Sequence, residues 1–405
     1  MSHAEQDMTT FRNRRRPFWQ AVMSRWADRI AIGRITLHFP DGRSHTADGK
    51  NDGPAVILRL NNARPFYRLL TGGKLGFSQS YLDGDWDTPD LDGLLAFGLA
   101  NEERMGGVMQ ASVVIGKLAL LRHKLRGNTR KGSRRNIAFH YDLGNEFYRL
   151  WLDETMTYSS ALFDGKDLTL AAGQNAKYQR ILDTLAIGPD DHVLEIGCGW
   201  GGFAEYAIAK TGCRVTGLTL SREQAEYART RLDAAGVSDR AQIRLEDYRD
   251  CKGQFDKIVS IEMFEAVGEE NWPLYFETVR ARLVDGGRAV LQSITIAEDH
   301  FEQYRRNADF IQTYVFPGGM LPTISLFEAA AKAQRLEVSD RFAFGRDYDT
   351  TLLAWDNAFV ASWPRIRPLG FDDRFYRLWR YYLAYCAVGF RSGRIDVVQF
   401  LLEKR

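Results

Sequence analysis

The chain has 405 residues, 45% of them hydrophobic and 26% charged, enough apolar material for two or three domains at roughly 150 residues each. This composition excludes a largely disordered chain, a collagen-like chain and a small disulfide scaffold, and no apolar run approaches the roughly 18 residues needed to cross a bilayer. The formal net charge of +2 conceals two opposed parts, because residues 1–140 carry 22 basic and 13 acidic side chains and the remainder 32 basic and 39 acidic. Such asymmetry directs the N-terminal part towards a polyanion, either nucleic acid or an anionic membrane surface.

The opening MSHAEQDMTTFRNRRR has no apolar run after its arginines and contains acids, so neither a secretory signal nor a transit peptide is expected. Cys198, Cys213, Cys251 and Cys386 form no CxxC pair and lie at no metal-ligand spacing with histidines. They read as buried free thiols in a reducing, cytoplasmic compartment, with no metal site.

Residues 1–120 read as a small mixed α/β domain. Ile35, Leu37 and Phe39 alternate with polar residues ahead of Pro40-Asp41-Gly42, a strand and a tight turn. A second strand is expected from Ala55 to Leu60, followed by Phe66 to Leu70. The stretch from Gly72-Gly73 to Asp87 holds too many turn formers to be regular throughout.

Residues 121–139 form a basic linker, since Leu121 to Arg135 contains seven Lys and Arg and no acid, with Gly127, Gly132 and Ser133 breaking any helix. It is either a solvated connector or a contact to phosphate or a membrane surface. Phe11, Pro17-Phe18-Trp19 and Trp26 lie close to a second basic cluster, Arg12 and Arg14 to Arg16. Aromatics beside cations suit a lipid headgroup boundary better than nucleic acid.

From residue 140 to 405 strands alternate with amphipathic helices, which predicts an α/β unit with a mostly parallel sheet. The strands expected are His192 to Ile196, Arg214 to Leu218, Gln242 to Leu245, Asp256 to Ile261 and Arg288 to Thr295. A helix starting at Ser221 is expected to bury Ala225, Ala228, Leu232 and Ala235. A helical insertion at about 300–335 interrupts the alternation, and a strand near Val397 to Leu402 closes the chain.

The run Val193-Leu-Glu-Ile-Gly-Cys-Gly-Trp-Gly-Gly202 is an apolar strand entering glycines and then a helix, which lets backbone approach a nucleotide-like ligand at the carboxyl end of a strand. Gly197, Gly199 and Gly202 also satisfy the dinucleotide spacing. The next strand, however, ends Gly217-Leu-Thr-Leu-Ser221 without the acid that would hold the ribose of NAD. Glu195 opening E-x-G-x-G-x-G through Gly197, Gly199 and Gly201, Asp247 about 50 residues later, and Gly286-Gly287 feeding a long strand together resemble the class I methyltransferase pattern, with S-adenosylmethionine (SAM) at the sheet's carboxyl edge. Ser221-x-x-Gln224 is a capping box, a cofactor contact, or both, Asp247 is either a cofactor contact or a loop acid, and Cys198 is a small loop filler.

His140-Tyr-Asp-Leu-Gly-Asn-Glu-Phe-Tyr148, Tyr158-Ser159, the glycine loop, Gly217-Leu-Thr-Leu-Ser-x-x-Gln224, Asp247-Tyr248-Arg249, Glu265 with Gly268, Phe316-Pro-Gly-Gly319, Phe344-Gly-Arg-Asp-Tyr-Asp-Thr-Thr351 and Gly389-Phe-Arg391 resemble the cyclopropane-fatty-acyl-phospholipid synthases and their mycolic acid relatives. The resemblance runs from about residue 30 to the end. It implies a SAM-dependent enzyme acting on the double bond of an unsaturated phospholipid acyl chain, with bicarbonate taking a proton from the intermediate cation. It implies SAM contacts at Tyr158, Ser159, Gly197, Gly199, Thr219, Gln224, Asp247 and Tyr248. It also implies bicarbonate ligands at Glu265, Tyr348 and the Ile294 backbone, and aromatic faces for the cation at Tyr158, Phe264 and Tyr348.

Two positions depart from the family. Its Tyr-Ser-Cys is here Tyr158-Ser159-Ser160, and its His-Thr-Ile is here Gln292-Ser293-Ile294. Ser160 and Gln292 still offer donors to an anion, but a methyl- or methylene-branched product stands beside the ring. The same departures motivate an alternative, a desaturase or oxidoreductase holding another adenine cofactor such as flavin. A nucleic-acid methyltransferase is disfavoured, since no nucleic-acid-binding module is visible and the C-terminal part is acidic. The partners expected are therefore unsaturated phospholipid acyl chains and an anionic surface at the inner membrane face, not nucleic acid, and a homodimer is compatible with this reading.

Overall fold

In the computed structural model, which describes residues 16–104 and 143–404, the chain falls into two compact units dividing between Ile115 and Gly116. In the first, helix α1 (Phe18–Ala27) precedes a sheet of β1 (Ile32–His38), β2 (Ser44–Asp48), β3 (Asn51–Leu60) and β4 (Trp86–Asp87), in the order β2-β1-β3-β4. Ile35, Leu37 and Phe39 are buried as their alternation predicts. Strand β2 was not legible because Ser44-His-Thr-Ala-Asp48 buries only Ala47.

Helix α2 (Arg64–Leu82) runs through the glycine-rich stretch expected to be irregular. The backbone leaves helical geometry at Gly73 (φ 55°, ψ −141°), and the two halves meet so closely that a Cβ at Gly76 would overlap the Arg68 carbonyl oxygen. Glycine here permits close packing and does not dissolve the helix. Helix α3 (Leu91–Ala100) ends at Asn101, whose buried side chain accepts from the amides of Ala31 (2.8 Å) and Ile32 (3.0 Å) and donates to the carbonyls of Ile32 and Phe97 (3.0 Å each). Residues 1–15, the basic linker 121–139 and His140, Tyr141 and Asp142 lie outside the described residues.

In the second unit, α4 (Asn145–Arg149) and α5 (Leu170–Leu185) lead to β5 (His192–Ile196). There follow α6 (Gly202–Thr211), β6 (Arg214–Thr219), α7 (Arg222–Ala234), β7 (Ala241–Leu245), β8 (Phe255–Ile261), α8 (Trp272–Arg282) and β9 (Leu283–Ile296). The insertion is α9 (Glu298–Arg306), α10 (Phe310–Tyr314) and α11 (Ile324–Ala333). Strand β10 (Leu336–Ala343), helices α12 (Gly345–Ile366) and α13 (Asp373–Arg391), and β11 (Ile395–Lys404) complete the chain.

The seven strands lie in the order β10-β11-β9-β8-β5-β6-β7, parallel from β9 to β7 and antiparallel at the two pairings of β11. This is the class I methyltransferase arrangement. Leu194, Ile258 and Leu291 face a core with Phe264, Phe276, Phe327 and Phe400, whereas Val193, Val259 and Val290 face α5, α6 and α7. Successive residues thus feed opposite layers, as the two-residue strand period requires.

Helix α7 buries Ala225, Ala228 and Leu232 as expected, but Ala235 is its exposed C-cap, one residue past the last turn. Strand β9 starts five residues before the expected Arg288, and Gly286-Gly287 form a bulge inside it. Strand β10 escaped the sequence reading because only Leu336 in it is fully buried.

Candidate active site

Strands β6 and β7 lie on one side of β5, and β8 and β9 on the other. Reversal of strand order opens a crevice at the carboxyl ends of β5 and β8, where two functional groups of residues collect.

The first group surrounds the glycine loop. Gly197 and Cys198 donate their amides to the Leu218 carbonyl (3.0 and 2.8 Å), tying the ends of β5 and β6 together. Gly197, Gly199 and Gly201 take positive φ (87°, 51° and 79°), which L side chains adopt only at a cost. A Cβ on Gly199 would meet nothing within 4 Å, whereas one on Gly201 would lie 3.0 Å from Ala228 Cβ. Cys198 packs over Gly217, and burial raises its thiol pKa well above the ordinary value; it fills space and is no nucleophile.

Ser221 Oγ accepts from the Gln224 amide (3.2 Å), but the Gln224 side chain does not close the capping box, because its Oε1 accepts from Thr219 Oγ1 (2.8 Å). No described residue bonds its Nε2. Asp247 is clamped by Arg249, with Nε to Oδ1 at 2.8 Å and Nη2 to Oδ2 at 2.6 Å, in a buried pair that sets the turn after β7. The Tyr248 ring rests edge-on to Tyr275 at 5.3 Å. Three positive-φ glycines, of which Gly199 faces open space, together with an amide donor and a fixed carboxylate suit a nucleoside cofactor.

Tyr158 and Ser159 border this group. The Tyr158 hydroxyl meets that of Tyr382 (2.8 Å), and its ring tilts on Trp355 at 5.2 Å. Ser159 Oγ accepts from Lys177 Nζ (2.6 Å), which also donates to Gln174 Oε1 (2.7 Å). Lys177 is fully buried, and desolvation lowers its pKa to about 7. Glu195 is buried with its Oε2 unpartnered, and desolvation raises its pKa despite the charges of Arg231 and Lys177.

The second group is a ring of donors around a residue the sequence reading passed over. Glu262, directly after β8, receives the Ser160 amide (2.9 Å) and Gln292 Nε2 (2.8 Å) on Oε1, and the Tyr348 hydroxyl (2.6 Å) on Oε2. Gln399 Nε2 donates to Gln292 Oε1 (3.0 Å), so the Gln292 amide is turned with its nitrogen towards the carboxylate. Ser160 takes part through its backbone, since its hydroxyl donates to the Ala161 carbonyl (2.9 Å). Glu265 Oε1 accepts from the Ile294 amide and from Ser293 Oγ (3.1 Å), while its Oε2 is unpartnered.

Burial raises both carboxyl pKa values. At Glu262 this is opposed by Tyr348, Lys177, the Ser160 amide and Gln292, whereas Glu265 is driven further by the charge of Glu262, to about 8. Phe264, expected as an aromatic face for a cation, lies instead in the core, stacked on Trp272 (5.5 Å) and edge-on to Phe327 (5.1 Å).

The family profile described as mycolic acid cyclopropane synthetase matches residues 128–400. The chain belongs to this family. It is 37% identical over 380 residues to tuberculostearic acid methyltransferase UfaA1 of Mycobacterium tuberculosis, covering 91% of this chain and 87% of that one. It is 36% identical over 359 residues to cyclopropane-fatty-acyl-phospholipid synthase of Escherichia coli K12, covering 87% and 89%. The crystal structure of mycolic acid cyclopropane synthase CmaA1 complexed with SAH and CTAB superposes with a TM-score of 0.63 at 33% identity, covering 67% of this chain and 98% of that one. Nothing in these similarities supports the desaturase or flavin alternative.

Bicarbonate, which the family resemblance implied, does not fit the residues as they stand. Gln292 and Tyr348 donate to Glu262, Ile294 donates to Glu265, and the Ser160 hydroxyl donates to the Ala161 carbonyl, so every donor expected for that anion already has an acceptor within the chain. Two residues missed in the sequence left signals there. Glu262 stands three before Glu265 at the end of a strand, and Lys177 occupies the buried face of α5 together with Ile181.

Proposed function

We propose that this family member takes its methyl group from SAM and delivers it to the double bond of an unsaturated acyl chain in a membrane phospholipid, giving a cyclopropane. Bound SAM supplies an electrophilic methyl on a sulfonium sulfur. The backbone of Gly197, Gly199 and Gly201 makes room for it. Thr219, Gln224, Asp247 and Tyr248 orient its nucleoside, and Tyr158, Ser159 and Glu195 flank its amino-acid end. Tyr348, buried against Phe390, and Tyr158, half-buried against Trp355, present aromatic faces that favour a transient carbocation and exclude water. The insertion over α9 to α11 roofs the acyl chain.

The observation that carries this reading is the meeting of a glycine loop, open at Gly199, after β5 with a half-buried carboxylate ring after β8 at one switch point. Methyl-labelled SAM incubated with unsaturated phospholipid vesicles tests it. Label is expected in the acyl chains with a mass gain of one methylene unit, and lipid free of label refutes the reading. Similarity to a relative named as a methyltransferase favours a methyl- or methylene-branched chain as the second product, and fragmentation of the labelled chains separates ring from branch.

The basic surplus of residues 1–140 and the aromatics near Arg14 to Arg16 support attachment of the enzyme to the anionic inner face of a membrane. Among the described residues no helix is long and apolar enough to cross one. Pelleting with anionic but not neutral vesicles, weakening as salt rises, is the expected result; equal pelleting with both refutes the attachment.

A further inference from the structure

Glu262 is the feature of the site that its family resemblance did not lead one to expect. Its backbone has φ 52°, a left-handed conformation that glycine adopts freely and a glutamate does not. Its amide donates to the Gln292 carbonyl (2.8 Å), which fixes this conformation against β9. The side chain enters a cage of three donors from three separate places: the segment before α5, strand β9 and helix α12. A non-glycine residue held in a costly backbone conformation marks a place where its side chain is used.

We propose that the Glu262 carboxylate is the resident anion of this site, standing where bicarbonate is implied for the family, and that it accepts the proton released when the product forms. This rests on the proposed function above. Oε1 is occupied by two donors, and Oε2, with one, keeps the lone pair for the proton. The alkene π pair forms a bond to the incoming methyl carbon as the S–CH3 pair returns to sulfur, leaving the neighbouring chain carbon cationic. The pair of one methyl C–H bond then closes the ring onto that carbon while its proton passes to Glu262 Oε2. The alkene and the sulfonium become a cyclopropane and a neutral thioether, and the carboxylate becomes a carboxylic acid that returns its proton to solvent. No oxidant enters, and the chain needs no external anion.

The test compares wild type, E262Q and E262G in CO2-depleted buffer with and without added bicarbonate or formate, reading methyl incorporation into vesicle lipid and, separately, SAM binding. Wild type is expected to run at the same rate within about twofold in both buffers. E262Q keeps the shape but not the base, and is expected to slow by about 10²–10⁴-fold with SAM binding unchanged. E262G suits the left-handed backbone and opens the cage, so added bicarbonate or formate is expected to restore at least tenfold of the lost rate. A wild type that stalls without bicarbonate overturns the proposal, as does an E262G variant at full rate without anion. Slow turnover of E262G that no small carboxylate restores makes Glu262 purely structural and overturns it too. A wild type that transfers no methyl under any condition refutes the proposed function, whereas one that transfers methyl but depends on bicarbonate refutes only the role of Glu262.

Discussion

Two glycines of one loop are expected to fail in opposite ways when alanine replaces them. Both have positive φ, 51° at Gly199 and 79° at Gly201, so each substitution costs about 1–2 kcal/mol of backbone strain. At Gly199 nothing lies within 4 Å of the new Cβ, and strain is the whole effect on folding. At Gly201 the Cβ falls 3.0 Å from Ala228 Cβ and 3.3 Å from its Cα, in the packing of α7 against the loop, adding about 1–3 kcal/mol of overpacking. Thermal unfolding is therefore expected to drop by roughly 2–8 °C for Gly199→Ala and roughly twice that for Gly201→Ala, at about 2–4 °C per kcal/mol for a domain of this size. Titration with SAM should show the reverse order. The Gly199 methyl enters the space left for the cofactor and is expected to weaken binding at least tenfold, about 1.4 kcal/mol, while the Gly201 methyl points away into α7. Unaltered SAM affinity in Gly199→Ala, with the loss falling on Gly201→Ala instead, refutes the placement of the cofactor over this loop.

Asn101→Ala removes the side-chain partner of the Ala31 and Ile32 amides and of the Ile32 carbonyl within the first unit, while the Phe97 carbonyl keeps the Asn101 amide; at about 1–3 kcal/mol for each buried group left unpaired, loss of that unit's cooperative unfolding transition is expected, and retention within 1 °C counts against the clip. Phe327→Ala deletes a fully buried ring stacked on Phe400 at 3.9 Å and is expected to cost about 3–5 kcal/mol in denaturant unfolding. Glu265 binds its proton more tightly folded, at about 8, than at its ordinary 4.5, so its contribution to stability is complete below about 4.5 and is lost as pH rises to about 8; E265Q should remove that downward slope from the pH dependence of Tm. Lys177, lowered to about 7 from 10.5, acts in the opposite sense between those values, so K177M should remove a rise in stability there. Gln399→Leu frees the Gln292 amide to rotate and is expected to slow methyl transfer about tenfold with SAM binding intact; an unchanged rate shows that Gln292 needs no such positioning.

Elements and site were legible to different depths for physical reasons. Parallel strands β5, β6, β8 and β9 could be placed because they bury most of their residues and read as apolar runs, the edge strand β7 by the alternation around its buried Ile243, and the glycine loop because backbone conformation there restricts residue type. Strands β2 and β10 bury too little to leave a pattern. The irregularity expected from Gly72-Gly73 to Asp87 is confined to Gly73 and the turn after Leu82, because helix packing on either side of Gly73 outweighs glycine's poor propensity. Ser160 and Gln292 were expected to donate to an external anion; in the structure the Ser160 amide and the Gln292 side chain donate to Glu262, whose arrival from the end of another strand no local pattern states.

The register of the sheet explains why that side chain arrives. Ile261 pairs with Gln292 across β8 and β9, and Gln292 pairs with Gln399 across β9 and β11. One cross-strand row therefore carries the end of β8, the amide that donates to Glu262 and the amide that orients it. A slip of one residue in either pairing would turn Gln292 to the opposite face. The left-handed turn at Glu262 then lifts its carboxylate from the strand end towards Tyr348 on α12 and the Ser160 amide. Glu265, one short turn later, reaches Ile294, two residues beyond Gln292 on β9. The two carboxylates thus both follow the end of β8, the first with three donors and the second with its Oε2 bare and its pKa displaced upward by burial and by the charge of the first. Paired acids in unequal surroundings separate into a charge holder and a proton holder, and here the inequality originates in which strand positions face the end of β8.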